Sequence, residues 1–138
     1  MALNAIDGML AREFGQQSKL GAVLNEGSDV VADAALYAPF ALLPGGHAAL
    51  GLLVVFLAEL SEFIGVVGQV VGGGRRYDGP CGKSDRAVAF GALGLLLGLG
   101  LRVAPYLDYV FGVLALLLIL TVWNRARQAL RAAATLTI

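Results

Sequence analysis

Apolar positions in this chain gather into long runs separated by short polar or glycine-rich breaks. A helix that crosses a bilayer needs about 20 mostly apolar residues, and four runs approach or exceed that length. They cover residues 20–43, closed by Pro44-Gly45-Gly46; 48–71, closed by Gly72-Gly73-Gly74; 87–101; and 107–123. Residues 1–11 are too few to span and read as the last turns of a helix. Residues 12–19 form a polar connection, with Gly15 as its breaker. The pattern predicts an all-α fold: a polytopic membrane helix bundle of four transmembrane spans plus the end of a preceding helix, forming one domain over residues 1–138.

Composition supports the membrane reading. Of 138 residues, 58% are hydrophobic and 14% charged, and mean hydropathy is +0.77. A soluble domain of this size needs more charge to cover its surface. Net charge is zero, so nothing in the total points to nucleic acid. A single cysteine, Cys81, rules out an intrachain disulfide and a cysteine metal cluster. His47, alone in the turn after Gly46, reads as a solvated loop residue. The first ten residues hold Asn4 and Asp7 and no basic residue, unlike the start of a secretory signal.

Placement of the basic residues predicts orientation. Arg12 and Lys19 lie in the first connection, Arg75, Arg76, Lys83 and Arg86 in the third, and Arg125, Arg127 and Arg131 after the last span. With four alternating spans all of these share one side, leaving only Arg102 opposite. The positive-inside rule makes that side cytoplasmic. The expected location is a bacterial inner membrane, multi-pass, with the active site facing the cytoplasm. Trp123 at one border, and Tyr106 and Tyr109 at the other, suit interfacial belts.

Ionisable groups in hydrocarbon are expensive, so each one inside a span is a candidate for function. Gly21, Asn25, Asp29 and Asp33 follow one another at intervals of four, along one slowly drifting stripe of a helix. Asn4 and Asp7, three apart, share a face of the preceding helix end, and the short connection turns that face back towards the stripe. Carboxylates and carboxamides gathered in a low-dielectric setting require compensating positive charge. Hard divalent cations such as Mg²⁺ suit such oxygens and hold substrate phosphates as well. The competing reading is a set of interhelical hydrogen bonds that only assembles the bundle.

The run Asn4-Ala-Ile-Asp7-Gly8-Met-Leu-Ala11-Arg12, eight residues, Gly21, three residues, Asn25, three residues, Asp29 resembles the CDP-alcohol phosphotransferase signature D-x2-D-G-x2-A-R-x8-G-x3-D-x3-D. It matches everywhere except at the first and third aspartates, which are Asn4 and Asn25 here. The resemblance implies a transferase that moves a phosphoalcohol from CDP-diacylglycerol or another CDP-alcohol to an alcohol acceptor, with release of CMP, in phospholipid biosynthesis. It implies two Mg²⁺ or Mn²⁺ ions, with Asp7 as a ligand and Asn4, Asn25, Asp29 and Asp33 as further candidates. Asp29 takes the place of the base that deprotonates the acceptor hydroxyl. Gly8, Ala11, Arg12 and Gly21 occupy positions that line the CDP moiety. An Asn carbonyl ligates a hard cation without bringing negative charge, so Asp33, one turn deeper, is the acid expected to make good the loss. A bacterial subgroup of the family is similar in its LNA-x-DGM-x-ARE and LNE-x2-D runs.

The family's six-helix plan places an amphipathic segment, a whole span and the start of another before the motif. The chain is therefore expected to lack roughly 60 N-terminal residues, at bilayer lengths. Asn4, Asn25 and this expectation motivate the rival reading, a non-catalytic membrane pseudoenzyme or truncated relic. A small transporter using Glu59 and Glu62 ranks third, because no inverted repeat or interrupted helix accompanies those acids.

Glu59 and Glu62, three apart on one helix face, either pair with the basic loop or line the acceptor cavity. The loop over residues 72–86 carries Arg75, Arg76, Lys83 and Arg86. It serves either as positive-inside charge alone or as a site for an acceptor or lipid phosphate. Gly82-Lys83 resembles a G-K element at this place in family members. Gly94 and Gly98, spaced as GxxxG, form a packing seam that is internal or joins a homodimer.

Overall fold

The computed structural model describes Glu13, residues 18–72 and residues 74–136. Asn4, Asp7, Gly8, Ala11 and Arg12 lie outside the described residues, so the expectations placed on them are not addressed by the fold. Four α-helices are described: α1 (Lys19–Ala41), α2 (Ala48–Val70), α3 (Lys83–Gly98) and α4 (Leu107–Leu136). A single 3-10 turn, Ala104–Tyr106, leads into α4, and no strand occurs among the described residues. The all-α expectation holds.

The chain forms two compact units, Met1–Ala32 and Asp33–Ile138. In the first, α1 begins where the Ser18 hydroxyl accepts the Gly21 N–H at 2.9 Å, an N-cap that satisfies one of the helix's orphan donors. In the second, α2 and α4 form the closest helix pair. Tyr37, Val54, Leu57, Phe90, Leu93, Phe111, Leu114 and Leu118 are buried together as its core. The Tyr37 and Phe90 rings stack at 4.2 Å, joining the end of α1 to α3.

Helix ends follow local chemistry. Pro39 removes one backbone donor from α1, whose last turn loosens to i to i+3 bonds from Leu42 to Pro39 O and from Leu43 to Phe40 O. Glycine at positive φ closes the next two helices, Gly72 at +85° and Gly100 at +75°. At the second, the Gly100 N–H donates to Leu97 O and the Leu101 N–H to Leu96 O, the paired bonds of a Schellman stop.

Boundaries differ from the hydrophobic runs in two places. α3 begins at Lys83 and not at 87, because Asp85 accepts the Gly82 N–H at 2.8 Å and starts the helix inside the charged segment. α4 continues well past 123. The Arg-, Gln- and Ala-rich sequence beyond Trp123 is strongly helix-forming, and Arg125 and Ala129 extend the buried face of Leu118 and Thr121. Among the described residues, two helical segments are long and apolar enough to cross a membrane, Ala48–Val70 and Ala104–Thr135. α1 carries Glu26, Asp29 and Asp33, and α3 has 16 residues, which is why the other two of the four expected spans do not meet the same standard.

Candidate active site

The most connected polar feature of the second unit lies where α2, α3 and α4 approach the end of α1. Ser61 and Glu62 on α2 form its centre. The Arg86 guanidinium, with no exposed surface, donates from Nη2 to Glu62 Oε1 at 2.9 Å and to Asp33 Oδ2 at 3.3 Å. Its Nη1 donates to Ser61 Oγ at 3.2 Å, while the Ser61 hydroxyl donates to Ala58 O. Arg125, 1% exposed, donates from Nη1 to Ser61 O at 2.6 Å and lies 3.5 Å from Glu62 Oε1. Lys83 Nζ stands 3.8 Å from Asp33 Oδ1, and Arg75 Nη2 3.9 Å from Glu62 Oε2.

The basic loop is folded into this cluster. The Arg76 N–H donates to Gly65 O at 3.1 Å, and a Cβ on Gly65 would lie 2.8 Å from Arg76 O. Gly68 is equally close to the loop, with Gly74 O 3.0 Å from where its Cβ would stand. These two glycines on α2 let the loop backbone lie directly on the helix. Further along, the Cys81 N–H donates to Thr121 Oγ1 at 3.0 Å. Gly79, at φ +134°, sits so near Thr121 that a Cβ would meet its side chain at 2.6 Å. Burial pushes the Cys81 thiol above its ordinary pKa.

The sequence-predicted residues are therefore placed as follows. Arg75, Lys83 and Arg86 come together, but through carboxylates of the chain itself, and Arg86 is enclosed. Glu62 pairs with the basic residues, whereas neither Glu59 oxygen has a hydrogen-bond partner. On α1, Asn25 is exposed, Asp29 is partly exposed and Asp33 is buried. Arg125 and Ser61 were not singled out by sequence reasoning. For Arg125 the signal was spacing: Leu118, Thr121, Arg125 and Ala129 recur at three- and four-residue intervals on one face of α4.

Carboxylate and carboxamide oxygens at Asn25 and Asp29 have the donor chemistry that a hard divalent cation takes. Among the described residues, however, no group of three or more His, Cys, Asp or Glu side chains is placed to hold one. Asp33, expected on the metal side, has both oxygens directed at cations. The donors at Asn25 and Asp29 thus fit a divalent ion only together with ligands outside the described residues.

The family model for CDP-alcohol phosphatidyltransferase matches residues 1–123. The chain belongs to this family. CDP-alcohol phosphatidyltransferases are membrane-bound transferases that use divalent metal ions, and two apolar helices here fit that setting. The chain is 47% identical over 130 residues to the inner membrane protein YnbA of Escherichia coli strain K12, an alignment that covers 94% of the chain and 65% of YnbA. It thus spans less than two thirds of that relative's length. No solved structure matches it.

Proposed function

We propose that this CDP-alcohol phosphatidyltransferase moves a phosphatidyl group from a CDP-alcohol of the CDP-diacylglycerol type to an alcohol acceptor, releasing CMP, as a step of phospholipid biosynthesis. What carries the reading is the spacing of Asp7, Gly8, Ala11, Arg12, Gly21 and Asp29 within the family match over residues 1–123. Gly8, Ala11 and Gly21 offer side-chain-free or small surfaces against CDP, and Arg12 offers a guanidinium to its phosphates. Asp29 takes the proton from the acceptor hydroxyl as its oxygen attacks the phosphatidyl phosphorus. The new P–O bond forms as the bond to the bridging oxygen breaks, and CMP leaves with that oxygen. Asp7 and Asp29, with amide oxygens from Asn4 and Asn25, would hold two divalent cations, which would supply neutralising charge for the diphosphate. Asp33 belongs instead with Arg86 and Lys83, and keeps that cationic pair in place.

The test is CMP release from CDP-diacylglycerol by the protein in membranes, over a panel of alcohols. Asp29→Asn should reduce the rate by at least about a hundredfold, the size of a lost general base. A second reading, a non-catalytic relative, draws on Asn4 and Asn25, which remove two negative charges from the signature. No CMP release from the wild type with any alcohol would establish it and end the first.

The basic loop and the C-terminus are proposed to face the cytoplasm of a bacterial inner membrane, on the asymmetry of Lys and Arg. Asp78 is exposed and the only native thiol is buried, so an Asp78→Cys variant reports orientation cleanly. Labelling of that position from outside intact cells would reverse the topology.

A further inference from the structure

At one end of the second unit, the turn between α1 and α2 meets the turn between α3 and α4. A Cβ on Gly45 would lie 2.7 Å from Ala104 Cβ, so the two turns touch directly. Asp108 pins them together: its Oδ1 accepts the His47 N–H at 2.7 Å, and its Oδ2 lies 2.6 Å from His47 Nδ1. The turns leave between them an open cleft of about 300 Å³, large enough for a small apolar ligand group. Leu43, Leu97, Leu101, Val103 and Leu107 supply its apolar walls, and Arg102 is the charged residue that lines it.

An apolar cleft bordered by a cation suits an amphiphile with a hydrocarbon tail and an anionic head. The Arg102 side chain is exposed and makes no ion pair or hydrogen bond with a described residue. The acid of these two turns, Asp108, is already engaged by His47. A phosphate therefore meets an uncompensated guanidinium here, whereas the ammonium of a zwitterionic headgroup meets no available carboxylate.

Depth in a bilayer agrees with that chemistry. α2 and α4 run parallel, with His47 beside Asp108 at one end and Ser61 beside Arg125 further along. From Leu107 to Arg125 the helix rises about 27 Å, and a hydrocarbon core is about 30 Å thick. A bilayer crossed by these helices thus has the cleft at one interface and the Arg86–Arg125 cluster at the other. Tyr106 and Tyr109, 64% and 75% exposed, stand at the level of the cleft, as rings that border headgroups do.

We propose that this cleft is a binding site for an anionic phospholipid of the surrounding bilayer: part of one acyl chain fills the apolar walls, and Arg102 holds the headgroup phosphate.

The experiment uses the full chain in lipid nanodiscs, carrying Trp123→Phe and Tyr106→Trp so that its single tryptophan stands beside the cleft. Both replaced rings are exposed. Phosphatidylglycerol or phosphatidylcholine, brominated on identical acyl chains, is added at increasing mole fraction to unbrominated phosphatidylcholine, and tryptophan quenching is read. Phosphatidylglycerol should reach half-maximal quenching at about a fivefold lower mole fraction, the effect of one cation near anionic lipid. Arg102→Gln should bring the two lipids together, and Arg102→Lys should keep most of the preference. Leu101→Glu, which sets a carboxylate in the cleft at an exposed position, should abolish it. Arg127→Gln, at an exposed cation near the far end, should leave it intact. Resistance of the buried Cys81 to alkylation checks the fold of each variant. Equal quenching by the two lipids in the reporter protein overturns the proposal, as does a preference that survives Arg102→Gln or is lost in Arg127→Gln. Release of brominated phosphatidylglycerol by dissolved glycerol 3-phosphate would mark a site for soluble phosphate and overturn the lipid assignment.

Discussion

Removing the Glu62 charge while keeping its shape tests whether the buried cluster holds the second unit together. Glu62 Oε1 lies 2.9 Å from Arg86 and 3.5 Å from Arg125, and its Oε2 lies 3.9 Å from Arg75. In Glu62→Gln the amide oxygen still accepts from one guanidinium. Arg86, with no exposed surface, then depends for charge on Asp33 at 3.3 Å alone. Breaking a buried pair by removing one partner costs about 3–5 kcal/mol. The surviving hydrogen bond and Asp33 place Glu62→Gln at the lower end, about 3 kcal/mol. Asp33→Asn loses the longer contacts, at 3.3 and 3.8 Å, and should cost about 1–2 kcal/mol. Glu59→Gln removes a charge that no hydrogen bond supports and should match or exceed the wild type. Cys81, 1% exposed, provides the assay. Its reaction with a thiol-reactive fluorophore during heating in detergent reports opening of the fold around the loop. The expected order of midpoints is Glu62→Gln lowest, Asp33→Asn next, then wild type and Glu59→Gln. A Glu62→Gln midpoint at or above that of Glu59→Gln would show that the cluster contributes nothing to stability.

Three further outcomes follow from the geometry. Gly65→Ala sets a Cβ 2.8 Å from Arg76 O and should displace the loop, lowering the midpoint and speeding Cys81 labelling; Gly91→Ala, with nothing within 4 Å, should be neutral or stabilise α3 by about 0.5–1 kcal/mol. In the folded wild type Cys81 should resist alkylation at pH 8, because burial both covers the thiol and raises its pKa, and detergent denaturation should release one reactive thiol per chain. Treatment with EDTA should stop CMP release and added Mg²⁺ or Mn²⁺ should restore it; activity indifferent to chelation would contradict the role given to Asp7 and Asp29.

Hydrophobic runs made the helices legible, since long apolar segments leave the chain few alternatives in a membrane. α2 ends within one residue of its expected limit. α3 and α4 were misjudged at the ends where charge begins, because the sequence there was read as solvent-facing when Arg86 and Arg125 are buried by pairing. Pairing of Glu62 with the basic loop was among the expectations, but the part of Arg125 in the ionic cluster was hidden. Basic residues beyond a span look like orientation signals, and only tertiary contact reveals that Arg125 reaches back to Ser61 O. The Asn25, Asp29 and Asp33 spacing correctly placed three polar side chains on successive turns of α1. It could not tell that Asp33 answers to Arg86 and Lys83, since those partners lie more than 45 residues away in sequence. Glycine was informative in kind but not in place: the breaker at Gly72 was visible, whereas Gly100 was read as part of an apolar run, and Gly65 and Gly68 inside another gave no hint that a loop lies across them.

The Schellman stop at Gly100 has a consequence for the lipid around the protein. From Ala87, the first apolar residue after the charged turn, to Gly98, helix α3 is about 18 Å long, against a hydrocarbon core of about 30 Å. If α3 crosses the bilayer as the sequence pattern predicts, mismatch of that size would draw neighbouring acyl chains into a thinner annulus and would let a long cationic side chain such as Arg102 snorkel to the headgroups. Shorter or more disordered lipids would gather on this flank, and a sterol-stiffened or thick bilayer would press against it.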